Sequence, residues 1–274
     1  MSEYLVTDAD LTAVANAIRA KTGTTDQLTF PAGFTTAIGN IQNAPATYVE
    51  ETYDEDGNLT SAVVHGCTKI RQSLFFTAPE LVSVTIPDNV TEIESRVFYH
   101  CESLPTISFP ETITSIGEHA FAYCFAFDVP QLPSGLTEIK LASFIGCTNL
   151  TLTSLPSGIN RIGNSAFYGC EKLVLTALPA GLTSIGLDAF YDCQKLALTT
   201  LPATLERIRE KAFYNCTGLT SLIFQGTPTE IAADAFEGCT NLITINVPWA
   251  EGAVANAPWG ATNATINYNY TKTN

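Results

Sequence analysis

The chain has 274 residues, 46% of them hydrophobic and only 15% charged, a balance that predicts a folded protein with a substantial core and excludes disorder. The formal net charge is −14, with nine acids against Arg19 and Lys21 in residues 1–60 alone, so phosphate backbones and anionic lipid would repel the chain. Neither nucleic acid nor insertion into a membrane is expected: no run reaches the roughly 18 apolar residues that a bilayer span needs. Met1-Ser2-Glu3-Tyr4 also lacks the basic and apolar regions of a secretory signal, so either the chain is made in the cytoplasm, which its initiating methionine favours, or a signal has been removed.

In chain order, residues 8–21 predict a first helix. Thr7 or Asp8 caps its start, Arg19 and Lys21 suit its C-terminal dipole, and Leu11, Val14, Ala15 and Ile18 form its apolar stripe. A second short helix is expected after Pro31 or Gly33, presenting Phe34, Ile38 and Ile41. Together they make a small helical module over residues 1–44, too small to bury much area alone. Ala44-Pro45-Ala46 reads as a linker. Residues 45–66 follow as a hairpin of two strands, 47–52 and 59–64, joined at Asp54-Glu55-Asp56-Gly57-Asn58 and able to cover the edge of what comes next.

From residue 67 to 247 the sequence is a repeat. Cysteines stand at 101, 124, 147, 170, 193, 216 and 239, each 23 residues after the last. Phenylalanines keep that step from 75 to 236 and isoleucines from 70 to 231, and a leucine column runs from Leu81 to Leu242 with Phe127 in phase. Four coincident columns predict about eight stacked coils, each burying its apolar face only against its neighbours. Ile116, Ala120, Phe121 and Cys124 follow helical spacing, predicting a short helical turn on one side of each coil. Leu219-Thr220-Ser221-Leu222-Ile223-Phe224 reads as a strand, and stacking at about 4.8 Å would give a parallel sheet on the other side, some ~40 Å long. In the middle coils an inner leucine moves by one place (Leu152, Leu175 and Leu198 against Val84, Leu222 and Ile245), which unsettles the strand there. Residues 248–274 hold Trp249 and Trp259, read as breaking the period and closing the core as a C-terminal cap and tail.

The units Ile116-Gly117-Glu118-His119-Ala120-Phe121-Ala122-Tyr123-Cys124 and Ile162-Gly163-Asn164-Ser165-Ala166-Phe167-Tyr168-Gly169-Cys170 resemble the leucine-rich repeats of bacterial BspA-like proteins, over about residues 60–250. The resemblance implies a leucine-rich-repeat solenoid of α/β type and cell-surface, adhesion-like binding with no shared ligand. The N-terminal segment, with Leu28-Thr29-Phe30-Pro31-Ala32-Gly33-Phe34, resembles modules on phage and prophage tail or appendage proteins of Gram-positive bacteria. That second resemblance implies attachment to another assembly protein, or self-association, and display on a virion or surface assembly.

Catalytic chemistry is hard to place on this chain. The cysteine column has seven members, an odd number, and Ala78 replaces it in the first coil without loss of phase, so buried reduced thiols fit better than disulfides or zinc. Cys67, aligned with Val90, is expected in the core as well. Asp54 to Asn58 lacks the later ligands of a calcium loop and reads as a plain turn. His65, His100 and His119 share no spacing with a cysteine, serine or carboxylate partner, and His100 and His119, at variable coil positions, are expected to be exposed and unpaired. No enzyme, cofactor or metal is expected. Tyr99, Tyr123, Tyr168, Tyr191 and Tyr214 remain, either as a low-entropy contact surface for a protein or glycan ligand or merely as cover for the helical side. Exposed Thr151, Thr153, Ser154, Thr176, Thr199 and Thr200 make the sheet side neutral. A recognition module and an architectural spacer are the two readings the sequence supports.

Overall fold

The computed structural model describes residues 48–271. The helical module expected over 1–44 lies outside them. At the N-terminal edge, β1 (Tyr48–Tyr53) and β2 (Leu59–His65) form an antiparallel hairpin whose register runs from Tyr48↔His65 to Thr52↔Ser61. Its turn is closed by the Asp54 carboxylate, which accepts hydrogen bonds from the amides of Asp56 and Asn58 and from the Asn58 side chain at 2.8–3.3 Å. β2 then pairs in parallel with β4 (Ser83–Thr85), with Ala62 opposite Val84, and so caps the first coil.

Nine turns of 23 residues follow. The isoleucine column forms one ladder of two-residue strands. β3 (Lys69–Ile70), β5 (Glu92–Ile93) and β6 (Ser115–Ile116) pair in parallel, as do β7 (Glu138–Ile139), β8 (Arg161–Ile162), β9 (Ser184–Ile185), β11 (Arg207–Ile208) and β13 (Glu230–Ile231). Each isoleucine faces the core and the residue before it faces outward. Between β6 and β7 the pairing lapses, and the Lys140 ammonium bridges the gap to the Ser115 hydroxyl at 2.8 Å.

The second ladder is discontinuous. β10 (Thr200–Leu201), β12 (Ser221–Phe224), β14 (Thr244–Asn246) and β15 (Thr265–Asn267) pair in parallel near the C-terminus, but coils between 104 and 199 have no strand on that side. These include the coils in which the inner leucine is displaced. Leu152, Leu175 and Leu198 still point inward, buried like Leu222 and Ile245, so the core is kept, while the ladder is absent from the coils of Leu152 and Leu175 and resumes just after Leu198 with β10.

No helix occurs among the described residues, which corrects the expected helical turns. Two residues per coil sit in the left-handed region: one column includes Arg96 (φ 57), His119 (φ 56) and Ser165 (φ 53), the other His100 (φ 58), Tyr123 (φ 61) and Gly146 (φ 73). A left-handed residue every fourth position is incompatible with an α-helix. Alternate amides also bond between coils: Arg96 to the Glu118 carbonyl, Phe98 to Ala120 and His100 to Ala122, at 2.8–3.0 Å. The phenylalanine rings of successive coils stack 5.1–5.6 Å apart from Phe75 to Phe236. A helix needs about 10 Å of width, so coils this close admit only a narrow turn.

The expected break in period after Val247 is corrected too. Val254 stands 23 residues after Ile231, and Trp259 stands 23 after Phe236 and accepts its amide hydrogen bond at 2.9 Å. Residues 248–271 therefore build a ninth turn, which is why about eight coils was too few. Trp249 and Trp259 close the core beside Phe224, with ring centroids 5.2–6.3 Å apart.

Candidate recognition surface

The turn side is where this sequence places its polar aromatics. Each repeat phenylalanine is buried, and the next residue is half-buried or exposed in every coil but that of buried Ala122, giving a column of Phe76, Tyr99, Ala122, Ile145, Tyr168, Tyr191, Tyr214 and Glu237. Because coils stack so closely, consecutive aromatics in this column are forced face to face. Tyr168 and Tyr191 stack at 4.5 Å and 7°, and Tyr191 and Tyr214 at 4.4 Å and 12°. The Lys211 ammonium lies 5.8 Å from the Tyr214 ring centre. All three rings are half-buried. Burial, and for Tyr168 the nearby Asp192 and Asp188 carboxylates, push the phenols of Tyr168 and Tyr191 up, so they stay neutral hydroxyls.

Tyr99 and Tyr123 belong to a second group. Tyr99 stacks on Phe76 at 4.9 Å and meets Tyr123 edge-on at 5.8 Å. Tyr123 occupies the next column, and its ring lies where a Cβ on Gly146 would sit, 2.8 Å from its Cδ1. Ala122 and Ile145 interrupt the column between Tyr99 and Tyr168, while Tyr123, in the next column, lies near enough to Tyr168 to help push its phenol up. His100 belongs with Tyr99 and Tyr123. It stacks on Tyr123 at 4.7 Å, and its Nδ1 lies 3.1 Å from the Glu102 carboxylate. This corrects the expectation of exposed, unpaired histidines: His100 and His119 are half-buried at left-handed turn positions. Burial also lowers the pKa of His119.

The thiols are fully committed to packing. All eight cysteines are free and buried. Each column cysteine donates to the carbonyl of a phenylalanine 26 residues earlier, for example Cys124 to Phe98 at 2.9 Å and Cys216 to Phe190 at 3.0 Å. Burial pushes the pKa of Cys101 and Cys239 up to about 12 and those of the others in the column upward as well. A thiol held this far from its anion is a poor nucleophile or metal ligand. Among the described residues no three His, Cys, Asp or Glu side chains gather as a metal site, and no helix is long and apolar enough to cross a membrane.

Sequence reasoning missed a second feature, the groove beside the isoleucine ladder. Its first part, about 610 Å³, is lined by Glu92, Glu94, Glu118, Glu138, Lys140 and Arg161 among others. Its continuation, about 490 Å³, carries Arg161, Arg207 and Arg209. The face thus runs from acidic to basic along the stack. The signal lay in the residue before each repeat isoleucine, a position the columns pointed to without revealing its depth.

Comparison with known proteins agrees with this architecture. A model of the BspA type leucine-rich repeat region matches in six copies over residues 68–197 and 160–250. Among solved structures, a leucine-rich cell surface protein from Faecalibacterium prausnitzii aligns at 23% identity and a TM-score of 0.56, over 75% of this chain and 71% of that one. A leucine-rich repeat protein from Bacteroides ovatus aligns at 22% identity and a TM-score of 0.57, over 76% of this chain and 60% of its own length. Both likenesses concern the fold. No curated protein matches the chain.

Proposed function

The chain belongs to the BspA-type leucine-rich repeat family, and on that premise we propose that it is a non-catalytic recognition module that holds a protein partner on its turn side. The observation that carries this reading is the Tyr168–Tyr191–Tyr214 stack, three half-buried rings ordered before any partner arrives. Ordering is the main cost of using large side chains in an interface, and here the fold has already met it. Both faces of the Tyr191 ring and one face each of Tyr168 and Tyr214 are covered by the stack itself, and Lys211 lies near the Tyr214 ring, so ring edges make up much of what the stack presents. A sugar stacks on an open ring face, whereas a flat rail of edges and hydroxyls suits a protein surface. Display at a cell surface fits the description of the Faecalibacterium neighbour. The segment 1–44 would serve as the attachment device to a phage-like or surface assembly, a role supported by an apolar pattern (Leu11, Val14, Ile18, Phe34, Ile38, Ile41) in a piece too short to bury it alone.

Probing protein and glycan arrays with the labelled chain and with a Y168S/Y191S/Y214S variant tests this reading. Protein hits that vanish with the variant support it. Hits confined to glycans, or protein hits indifferent to the variant, contradict it. A chain that binds nothing on either array would be the spacer that the repeat pattern also allows.

A further inference from the structure

We propose that the basic end of the ladder groove is a seat for a carboxylated sugar, such as a uronic acid within an acidic polysaccharide. Arg161, Ser184 and Arg207 stand at the same position on three consecutive strands, β8, β9 and β11, in direct register. At the sheet spacing of about 4.8 Å, the two arginine backbones lie roughly 10 Å apart with the serine hydroxyl midway. Both arginines are exposed, and among the described residues neither guanidinium has an ion pair or hydrogen bond. Glu138, next to Arg161 in register, lies beyond ion-pair distance, while Arg209 is already engaged by Glu230 at 3.4 Å. Glu230 stands beside Arg207 in register but pairs with Arg209, so two arginines without an ion pair line this stretch of groove on either side of a serine, unusual on a chain of net charge −14. A single carboxylate can take the fork of each arginine and the serine proton at once.

The remainder of the groove selects a sugar over other anions. The Asn160 amide, the Asn164 amide nitrogen and the oxygen of Thr183 can pair with sugar hydroxyls, the Asn164 oxygen being held by the Leu187 amide at 3.0 Å and the Thr183 proton by the Asn160 carbonyl at 2.9 Å. Half-exposed Leu187 offers an apolar patch for the C–H face of a pyranose ring. Gly163 and Gly186 let the coils beneath this end stack closely: a Cβ on either would meet atoms of the preceding coil at 2.6–3.0 Å. An extended peptide would need a free strand edge, yet β8, β9 and β11 are each paired on both sides. Nucleic acid, with a charge every ~1.7 Å, would be repelled by the acidic remainder, including Glu210 in the groove itself. Carboxylates spaced sugar by sugar place far less charge on the surface.

The full chain should bind a polygalacturonate oligomer, weakening as salt is raised, and should ignore the same oligomer after methyl esterification. Arg161→Gln with Arg207→Gln should weaken binding at least tenfold with an unchanged melting temperature, and Ser184→Ala should weaken it less. Lys195→Gln, on a neighbouring coil away from the groove, should leave it unaltered. Equal binding of the ester, or no effect of the arginine pair, overturns the proposal. So does tighter binding of poly-glutamate than of the uronate, which would make the ligand an acidic protein. Absence of binding to polygalacturonate and alginate alike at millimolar sugar overturns it as well. None of these results depends on the tyrosine stack, so the two readings stand or fall separately.

Discussion

The Cys170 thiol donates to the carbonyl oxygen of Phe144, 26 residues earlier, at 3.1 Å, and that oxygen also accepts the Cys147 amide at 3.2 Å. Seven such bonds lock each turn onto the one before it, from Cys101 on Phe75 to Cys239 on Phe213. The relationship explains why the first coil carries Ala78. The residue 26 places before it is Thr52, in the hairpin, where no turn carbonyl waits for a thiol. A thiol reagent should therefore label few or none of the eight cysteines in the native chain and all of them in denaturant. Cys170→Ala should cost about 1–2 kcal/mol, from a lost hydrogen bond and a small void, as read by urea unfolding.

The same thiols predict a pH dependence. Their native pKa is raised above the ordinary value of 9.0, to about 12 for Cys101 and Cys239, because burial penalises the thiolate. A raised native pKa means that the unfolded chain releases protons first. The stabilisation is complete below pH 9 and is lost as pH climbs from 9 toward 12. Urea unfolding should show stability level up to about pH 9 and falling from there to about pH 10.5, with a shallower fall in Cys170→Ala. A flat profile, or identical slopes, would count against buried protonated thiols.

The phenylalanine stack predicts a graded series. Phe167 is fully buried between Phe144 and Phe190, at 5.6 and 5.5 Å, while Phe75 begins the stack with a ring neighbour on one side only. Phe167→Ala should cost about 3–5 kcal/mol. Phe75→Ala should cost less. Denaturant midpoints compared at constant slope check the order.

Two glycines should respond with opposite sign. A Cβ at Gly117 would sit 2.4–2.6 Å from the backbone of Glu94 and Ser95, so Gly117→Ala should destabilise by about 1–3 kcal/mol. Gly181 has nothing within 4 Å of the same point, and alanine there should be neutral or stabilise by up to about 1 kcal/mol. Equal effects at both positions would mean that the coils are not this close.

Ending the chain at Pro248 should remove the ninth turn, leaving β14 unpaired on one side and Phe224 without Trp259. Loss of cooperativity or aggregation is expected. A truncated chain that remains monomeric with an unaltered melting temperature would show that the ninth turn contributes nothing.

The columns were legible because a coil of fixed length puts one residue type in one environment, as the buried isoleucines, phenylalanines and cysteines show. The turn itself was misread because Ile116, Ala120, Phe121 and Cys124 carry helical spacing, and four points do not distinguish a helix from a chain of tight turns. A contrary signal was present in the column Thr77, His100, Tyr123, Gly146, Gly169, Asp192, Asn215 and Gly238, rich in residues that tolerate left-handed backbone. Trp259 and Val254 kept the period, but a change of residue type hid them. Tyrosine positions could be read from sequence; their stacking could not, because it depends on the distance between coils. The arginine seat needed register, since Arg161 and Arg207 are two full periods apart.

The central claim, that partners are held along the tyrosine stack, is tested most directly by photocrosslinking. Replacing Tyr191 by a benzophenone amino acid keeps an aromatic ring in the stack, and Thr153, exposed on the opposite ladder side, serves as the comparison position. On a surface that binds the chain, irradiation should yield a protein adduct from position 191 and none from position 153. Adducts from 153 alone, or none from 191 where binding is retained, would contradict the account.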